Sequence, residues 1–565
     1  MGARVRPAGR ARRSLPAALV AALLLTLLTP STAWAIRFSI LKENFTLNIT
    51  ETMFVAYHGD LGAALAVETD VMGRPTEQLR FADLLNRLNV DLTWRRFRLW
   101  TRFDTAAYLY RPKGACGPDA TTPFVLRSRY CQRPFWGEKV ALEYIGRNLE
   151  VTLGDFYVSF GRGMVLSIRK LDELGIDTTL RGGKLIYRDD NFGMTLVAGA
   201  TNIQNVDQAT GRSVDDPYDA IFGGRAEYRF ADKVNLGLHG VGGFQRRIST
   251  VGTKHHDAYV MYGASIDAPR LTKWLGLYLE GAAQINRASD ALRYGGAFYG
   301  AVTTYLGKVT LLFEAKYYHR YQPWHSSVPS TYVEFAPITY LQPPTAERIV
   351  TELLAPTFSV GGLRGRLDWR VNDKLQLFVS TAYFEDTAIP DQPFRFYDPF
   401  GGAEIRWQHG ASHFFPSGGY RYEQDRKTGG MHQEIGHVEW DFTQLLKRGW
   451  SIESSGFVFV RREDLVTKEN PDGSTSLVRW TEGTAYLALK WTPHLVLASG
   501  YEWTTRPTAD RTHHFFNGSL QWNITTASSV RLFVGGNRGG LRCISGICRD
   551  FPAFSGARLE VVVRI

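Results

Sequence analysis

The chain repeats one pattern from the end of its N-terminal segment to its C-terminus. Segments of about 10 to 14 residues alternate apolar with polar side chains, with tyrosine, phenylalanine, tryptophan, valine and glycine recurring in each. In the last segment Leu559 and Val561 share one face, whereas Glu560 and Arg564 share the other. A period of two is typical of β-strands. The pattern therefore predicts an all-β protein.

The length of these segments indicates where the sheet lies. Strands of soluble β-sandwiches average about five or six residues. A tilted strand needs about 9 to 11 residues to cross a bilayer, which is close to the length repeated here. A bilayer offers no partner to the edge of a sheet, so the strands must close into a ring. We therefore expect transmembrane strands in a closed barrel.

The connections between segments alternate in length. Short turns such as Asp189-Asp190 and Asn372-Asp373 alternate with longer, polar or Pro/Gly-rich stretches, notably 111–137, 322–355 and 538–554. This arrangement is typical of outer-membrane barrels, whose short turns are periplasmic. The segments predict a single large antiparallel up-and-down β-barrel of about 24 strands, in a range of roughly 22 to 26, with both termini periplasmic.

The first 35 residues have the features of a secretory signal peptide. Five arginines precede an apolar stretch, Leu15 to Leu28, and Ala33-Trp34-Ala35 is a small-residue cleavage site. The pair Arg12-Arg13 leaves twin-arginine export as an alternative, although the residues after it favour general secretion. We expect cleavage after 1–35, so that the barrel comprises 36–565 in the outer membrane of a Gram-negative bacterium.

Charge and composition exclude several classes. Hydrophobic residues make up 44% of the chain, which excludes a disordered protein. The mean hydropathy is −0.20 and the only long apolar run is at the N-terminus, which argues against a bundle of membrane-spanning helices. Removing the five arginines of the leader lowers the formal net charge from +11 to +6. That balance gives no argument for a nucleic-acid partner.

The four cysteines are spaced as two local pairs. Cys116 and Cys131 bracket a Pro/Gly-rich stretch, and Cys543 and Cys548 enclose four residues. In an exported chain this spacing favours two disulfides, each within one loop. Free thiols or a metal site are the alternatives, but neither pair has a histidine or cysteine neighbour at zinc spacing.

Charged side chains recur on the face of the strands that is opposite the apolar face. Because isolated charges are costly to bury, they predict a lumen that holds water or a paired polar network. An excess of basic groups favours anionic or zwitterionic solutes. The densest basic stripe, on 364–370, is a candidate solute track or an anchor for an acidic loop such as 214–219. The lumen and constriction candidates are Arg98, Arg102, Arg162, Arg225, Glu227, Arg229, Arg364, Arg366, Asp368, Arg370, Glu439 and Asp441.

Signals for catalysis and metal binding are weak. His432 and His437 flank a glutamate, but on a strand they point to opposite faces, so that helical zinc-ligand geometry is absent. No nucleophile elbow or phosphate-binding loop is present. We expect no metal, no cofactor and no enzymatic activity, with an outer-membrane hydrolase as a minor alternative.

One part of the chain is less generic than the rest. It runs Gly-Asp-Phe-Tyr-Val-Ser-Phe-Gly-Arg-Gly-Met-Val-Leu over 154–166 and Leu-Gly-Ile-Asp-Thr-Thr-Leu-Arg-Gly over 174–182. This part resembles an uncharacterised family of porin-like outer-membrane proteins, a domain of unknown function found in Bacteroidetes and delta-proteobacterial-type genomes. The resemblance implies a large outer-membrane barrel with no established substrate.

The glycines at 161 and 163 suggest that the chain leaves the wall there. Glycine permits positive φ and close backbone approach, so the strand can bend inward. We expect 160–180 to fold partly into the lumen, with Arg162, Arg169 and Lys170 on lumenal carboxylates. An ordinary extracellular hairpin is the alternative.

These observations favour porin-like passage or binding of a polar solute. The alternative is a non-conducting receptor or scaffold whose long loops bind an extracellular ligand or a secretion or surface-assembly partner. Either protein would contact the lipid bilayer, lipopolysaccharide and the barrel-assembly machinery.

Overall fold

Twenty-four antiparallel strands close into one ring in the computed structural model. The structure describes residues 36–40, 43–59, 81–110, 127–128, 135–170, 177, 179–201, 212–213, 220–248, 254–288, 291–321, 359–386, 394–426, 429–466, 475–506, 513–538, 540–544, 547–551 and 554–565. The predicted all-β class and the strand count are confirmed.

Each wall strand is bonded to the next along the chain, so the topology is up-and-down. The strands are β1 Glu43–His58, β2 Phe81–Trp94, β3 Phe97–Tyr110, β4 Phe135–Ile145, β5 Leu149–Phe156, β6 Leu180–Arg188, β7 Phe192–Thr201, β8 Ala220–Phe230, β9 Val234–Ile248, β10 Lys254–Thr272, β11 Leu275–Ala288, β12 Ala291–Leu306, β13 Val309–His319, β14 Val360–Asn372, β15 Leu375–Asp386, β16 in two pieces Phe394–Tyr397 and Phe400–Trp407, β17 Ser412–Asp425, β18 Met431–Leu445, β19 Trp450–Val466, β20 Thr475–Trp491, β21 Leu495–Thr504, β22 His513–Asn523, β23 Ser529–Asn537 and β24 Phe554–Arg564.

The first and last wall strands close the ring. Thr50 is opposite Arg564 in the β1–β24 ladder, and Ile49 and Ile565 exchange two backbone hydrogen bonds of 2.8 Å. A short strand, Ile36–Ile40, pairs with the start of β1 on the same side as β24. Both ends of the described chain therefore lie at the end of the barrel that carries the short turns.

The short turns use the left-handed backbone that suits two-residue hairpins. Arg95, in the two-residue turn between β2 and β3, has φ of 50°, and Ala231 and Asp232, in the three-residue turn between β8 and β9, have φ values of 50° and 53°. Such turns match the right-handed twist of the flanking strands, so they join neighbours without splaying them. The connections at the other end of the barrel lie largely outside the described residues.

The strand β16 is less regular than its neighbours. It begins at Phe394 and is interrupted at 398–399. Both pieces pair with β15 and β17, so the interruption does not change the order of strands.

Side chains alternate across the wall as the period of two predicts. Leu238, Leu363 and Val438 face outward and are 68%, 63% and 57% exposed, whereas the next residues, such as His239 and Arg364, are buried inside. Exposed tryptophans, including Trp274 and Trp522, lie beside the short turns. In the described part of the chain no helix is long and apolar enough to cross a membrane.

A hydrophobic core fills one side of the interior. It is built on a small hairpin, Val158–Phe160 paired with Leu166–Ile168, and on apolar side chains that the wall turns inward. These inward wall residues include Val197, Ile221 and Met261, all at most 4% exposed. The inner face is therefore partly apolar, in addition to the charged groups that the sequence predicted there.

Candidate functional site

The chain leaves the wall where β5 ends at Phe156. Gly154 has φ of +113°, and a Cβ atom there would be 2.1 Å from the carbonyl oxygen of Val140. The Val140 N–H donates to Asp155 Oδ2 at 2.8 Å, and Arg181 Nη2 donates to the Glu138 carbonyl at 2.9 Å. Two side chains thus satisfy the β4 backbone groups that a departing strand would otherwise leave unpaired.

A β-bulge in β4 turns two consecutive charged residues into the lumen. The β3–β4 register shifts between Arg102 and Phe103, so that Glu138 and Lys139 are both 1% exposed. Strict alternation puts only one of them inside, which is why the sequence did not identify this pair. Arg87 bridges Glu138 at 3.1 Å and Asp104 at 2.8 Å.

Asp177 is the centre of this buried network. It accepts hydrogen bonds from Lys139 Nζ at 2.6 Å, from Arg102 and from the Tyr157 hydroxyl. Burial alone would raise the pKa of Asp177, but the charges of Lys139 and Arg102 outweigh it and hold the pKa well below its ordinary value. Burial and the same carboxylate raise the pKa of Tyr157 far above its usual range.

The second anchor is Asp155, at the start of the inserted segment. It is fully buried and accepts hydrogen bonds from Thr179 Oγ1 at 3.0 Å and Arg181 Nη2 at 2.9 Å. Asp155 and Asp177 thus tie both ends of the segment 157–179 to the wall. The polar residues of 154–182 that carried the family resemblance therefore have a structural role.

The tip of the hairpin is held on the far strands β11 and β12. The Arg162 N–H donates to Glu280 Oε2 at 3.0 Å, its guanidinium donates to the Tyr299 hydroxyl at 3.2 Å, and it stacks on Tyr278 at 3.9 Å. Gly161 has φ of +57°, and a Cβ atom there would be 2.3 Å from Glu280 Oε1. Only glycine fits this position without displacing Glu280.

The polar contacts continue from the tip along the inner wall. Tyr299 donates to Glu314 Oε1 at 2.5 Å, and Glu314 Oε2 accepts from Arg364 Nη1 at 3.1 Å. Arg364 Nε also donates to Ser380 Oγ at 3.0 Å. Arg162 and Arg364, two of the predicted constriction residues, are thus linked through Tyr299 and Glu314.

The predicted basic stripe on β14 is divided among different partners. Arg364 belongs to the network of the hairpin, while Arg366 forms a two-bond ion pair with Asp368 at 2.8 and 2.9 Å. Arg366 also lies over Phe378, and Arg370 is exposed near the short-turn end. The stripe is therefore not a row of three free guanidiniums.

Among the other predicted lumen residues, Arg98 pairs with Asp91 and with Glu143 at 3.3 Å, near the short turns. The others have these contacts: Arg102 forms an ion pair with Asp177, Arg225 with Glu227 at 2.5 Å, Arg229 donates a hydrogen bond to Asn235 at 3.4 Å, Glu439 lies 3.3 Å from His437, and Asp441 lies 2.6 Å from His413.

The expected carboxylate contacts of the hairpin are met only in part. Arg162 reaches Glu280 through its backbone amide, and its guanidinium contacts two tyrosines instead. Arg169 forms no ion pair with a carboxylate in the described ranges, and its Nε and Nη2 atoms are buried without a hydrogen-bond partner. Residues 171–176 lie outside the described part of the chain, as do the acidic loop 214–219 and the loop 322–355.

Of the two predicted cysteine pairs, only one lies in the described part of the chain. Cys116 and Cys131 lie outside the described residues. Cys543 and Cys548 are directly opposite each other in a separate two-stranded ladder, Gly540–Ile544 with Ile547–Phe551, of which only the backbone is described. Both disulfides remain predictions. Within the described ranges, no cluster of three or more metal-ligating side chains is found.

The wall opposite the hairpin also carries charged groups, and several of them are buried. Arg461 pairs with Glu482 at 2.7 Å, and Glu482 also holds Arg538. Toward the short turns the charged side chains are more exposed: Arg531 is 58% and Asp441 56% accessible. One side of the lumen is therefore packed by the hairpin, while the other carries buried ion pairs and, near the short turns, more exposed charged groups.

Comparison with known proteins finds one family model that matches part of this chain. Residues 135–212 match the model of a family of unknown function (DUF6029), and this span contains the segment 154–182. The resemblance to an uncharacterised family is thereby supported, whereas its taxonomic range stays a prediction. No curated protein matches this chain.

Among solved structures, the chain is similar to large outer-membrane proteins. The siderophore receptor PirA from Pseudomonas aeruginosa is 8% identical with a TM-score of 0.47, and the match covers 92% of this chain and 80% of that one. The alcaligin receptor FauA from Bordetella pertussis is 10% identical with a TM-score of 0.42, covering 91% and 76%. The outer membrane protein OpdK from P. aeruginosa is 12% identical with a TM-score of 0.35, covering 68% and 95%.

Proposed function

We propose that the protein is an outer-membrane barrel that passes or binds a small polar solute, with the hairpin 158–168 as its constriction. In this proposal the leader is removed on export, the assembly machinery inserts the chain among lipid and lipopolysaccharide, and the short turns face the periplasm. The proposal includes no catalytic step.

The observation that carries the proposal is the asymmetry of the lumen. The hairpin packs on the inner face of one side, whereas the other side carries ion pairs and, near its short turns, exposed charged groups such as Arg531 and Asp441. A barrel of this strand number is wide, so one hairpin narrows the interior without filling it. In this proposal water and polar solutes pass along the charged side.

The same hairpin supports a second candidate, a closed receptor or scaffold barrel. Its apolar residues Phe160 and Leu166 are completely buried, so this side of the interior is sealed. If the connections outside the described residues seal the charged side as well, the protein will bind ligands through its long loops and conduct nothing.

Planar-bilayer recording of the full-length protein separates the two candidates. We expect single-channel conductance from the wild-type protein. Replacing residues 160–167 by a short glycine-serine linker is expected to raise the conductance, because the constriction is removed.

The matched control shortens the hairpin of Gly540–Ile544 and Ile547–Phe551. These two strands pair only with each other and are not part of the ring of wall strands. We expect its conductance to equal that of the wild-type protein. A silent wild-type protein that conducts only without 160–167 would favour the closed receptor. Equal conductance with and without 160–167 would reject the hairpin as the constriction.

A further inference from the structure

A cavity of about 470 Å³ lies inside the barrel between the hairpin and the inner face of β6 to β9. The stretch from Tyr157 to Ser159 covers it from the side of the hairpin, and the short turns lie at its other end. Its volume is within the range of about 300 to 1,000 Å³ that small-molecule pockets occupy.

Glycine on the inner face makes room for this cavity. Gly193, on β7, is opposite Arg188 and Glu227 in the two flanking ladders. A Cβ atom at Gly193 would meet only the Glu227 side chain, at 3.9 Å. The position is therefore open, and a larger side chain there would project into the cavity.

The charged groups that line the cavity include more cations than carboxylates, namely Lys184, Arg188, Arg225 and Arg229 against Asp189, Asp190 and Glu227. Lys184 is half-buried and has no ion-pair partner in the described part of the chain; its Nζ donates only to the Tyr157 carbonyl, at 3.4 Å. Arg225 pairs with Glu227 through Nη2 at 2.5 Å, whereas its Nε is buried without a partner. Arg229 contacts the neutral Asn235.

The other acidic groups at the rim are directed elsewhere. Asp189 accepts a hydrogen bond from the backbone N–H of Asp190 at 2.7 Å, within their own exposed turn. Glu150 pairs with Arg188 at 2.8 Å. Glu150 and Glu143 also act on Lys184 electrostatically, but in the described ranges neither forms an ion pair with it. The lining of the cavity therefore keeps an excess of one positive charge.

We propose that this cavity is a binding site for a small organic anion, held through its carboxylate or phosphate oxygens by Lys184 and Arg225. The inference rests on the proposed function in that it names the class of solute. An ammonium and a guanidinium on one wall form charge-assisted hydrogen bonds with such oxygens. Asn235 and Ser159 supply polar contacts for the rest of the molecule.

Equilibrium dialysis of the full-length protein in detergent tests the site without requiring conduction. The probes are succinate and inorganic phosphate, with glucose as the neutral comparison, at low ionic strength because salt screens these contacts. We expect saturable binding of at least one anion and none of glucose. Binding of only one of the two anions also supports the site, and it shows whether the site prefers a carboxylate or a phosphate group.

Two variants and two controls assign the binding to the cavity. Lys184→Gln is expected to weaken binding about tenfold, since one charge-assisted hydrogen bond is lost. Lys184→Arg keeps the charge and is expected to retain binding. Gly193→Leu is expected to abolish binding by filling the cavity. Lys308→Gln removes a cation from an exposed short turn between β12 and β13, outside the cavity lining, and should leave the affinity unchanged.

The outcomes separate this site from passage through the barrel. Equal affinities of the wild-type, Lys184→Gln and Gly193→Leu proteins would overturn the proposal, as would tighter binding of glucose than of either anion. Conductance without saturable anion binding would reject the binding site but not the proposed passage through the barrel. Anion binding by a silent barrel keeps the site and rejects passage.

Discussion

Gly161 shows how a single missing Cβ atom positions the hairpin. Its positive φ and its contact with Glu280 are both needed for the Arg162 amide to reach that carboxylate. A side chain at 161 would clash with Glu280 and keep the tip of the hairpin from reaching its position. The backbone hydrogen bonds of the wall strands would not change.

We predict that Gly161→Ala exposes the hairpin while the barrel remains folded. The substitution is expected to reduce hydrogen-exchange protection of 158–168 at least about tenfold, because about 1 to 2 kcal/mol of backbone strain adds to the clash with Glu280. Gly307→Ala is the matched control: Gly307 also has positive φ, at +66°, but no atom lies within 4 Å of its added Cβ. Equal protection in both variants would contradict the prediction.

A second prediction at this scale concerns Asp177 and pH. A carboxyl whose folded pKa lies below its unfolded value stabilises the fold above the unfolded pKa and loses this contribution as pH falls through the folded pKa. The ordinary value is 3.8. We therefore expect the hairpin anchor to remain intact at pH 4 and to weaken only in stronger acid.

Thermal unfolding of Asp177→Asn against the wild-type protein measures this effect. The difference in midpoint should be constant from neutral pH to about pH 4 and shrink below it, since the carboxyl of the unfolded wild-type chain then takes up a proton and the stabilisation declines. Asp373→Asn, in an exposed short turn, is expected to show no difference. A wild-type midpoint that already converges with Asp177→Asn at pH 5 would show that Lys139 and Arg102 do not hold the carboxylate.

At the scale of elements, the hairpin and the wall are stabilised by different interactions. The hairpin packs through apolar side chains and two anchors, whereas each wall strand is bonded on both sides. Local opening of the hairpin therefore costs less free energy than opening of the wall.

We expect Phe160→Ala to loosen the hairpin and leave the wall intact. Truncating a fully buried phenylalanine costs about 3 to 5 kcal/mol, and Phe160 is 0% exposed. Hydrogen exchange should accelerate in 158–168 and stay unchanged in β20. Phe516→Ala is the control, since Phe516 faces outward and is 67% exposed. Acceleration in β20 as well would indicate that hairpin and wall unfold together.

The sequence predicted the elements better than the site. The period of two and the alternating turns yielded the strand number, because every strand must bury one face and expose the other. The bulge that turns Glu138 and Lys139 inward was not predicted. At a bulge the alternation of inward and outward side chains shifts by one residue, and nothing in the neighbouring sequence marks the position. The partners of Arg364 and Arg366 depend on strands distant in sequence, so spacing alone suggested an unbroken basic stripe.

One signal for the inward hairpin was available in the sequence. Val197, Ile221, Val241 and Met261 are apolar at inward positions, although a solvated lumen would favour polar residues there. They lie on four successive strands, opposite the hairpin core. Apolar residues at lumenal parity on neighbouring strands indicate that something covers them.

At the scale of the whole molecule, the ring is completed by hydrogen bonds between its first and last strands. We predict that removing residues 559–565 prevents closure, because β1 and β23 would each keep an unpaired edge. The folded wild-type barrel should migrate faster than its heat-denatured form in a detergent gel, and the truncated chain should show only the denatured mobility. A truncated chain that keeps the fast-migrating form would show that the β1–β24 ladder is not needed.

The strand Ile36–Ile40 and the end of β24 pair with successive parts of β1, so the distance between them reports whether the ring is closed. Two dyes attached at Arg37 and Arg564 would be adjacent only in the finished ring, and far apart in any open sheet. Energy transfer between them would therefore follow the last step of assembly in real time, independently of whether anything crosses the lumen.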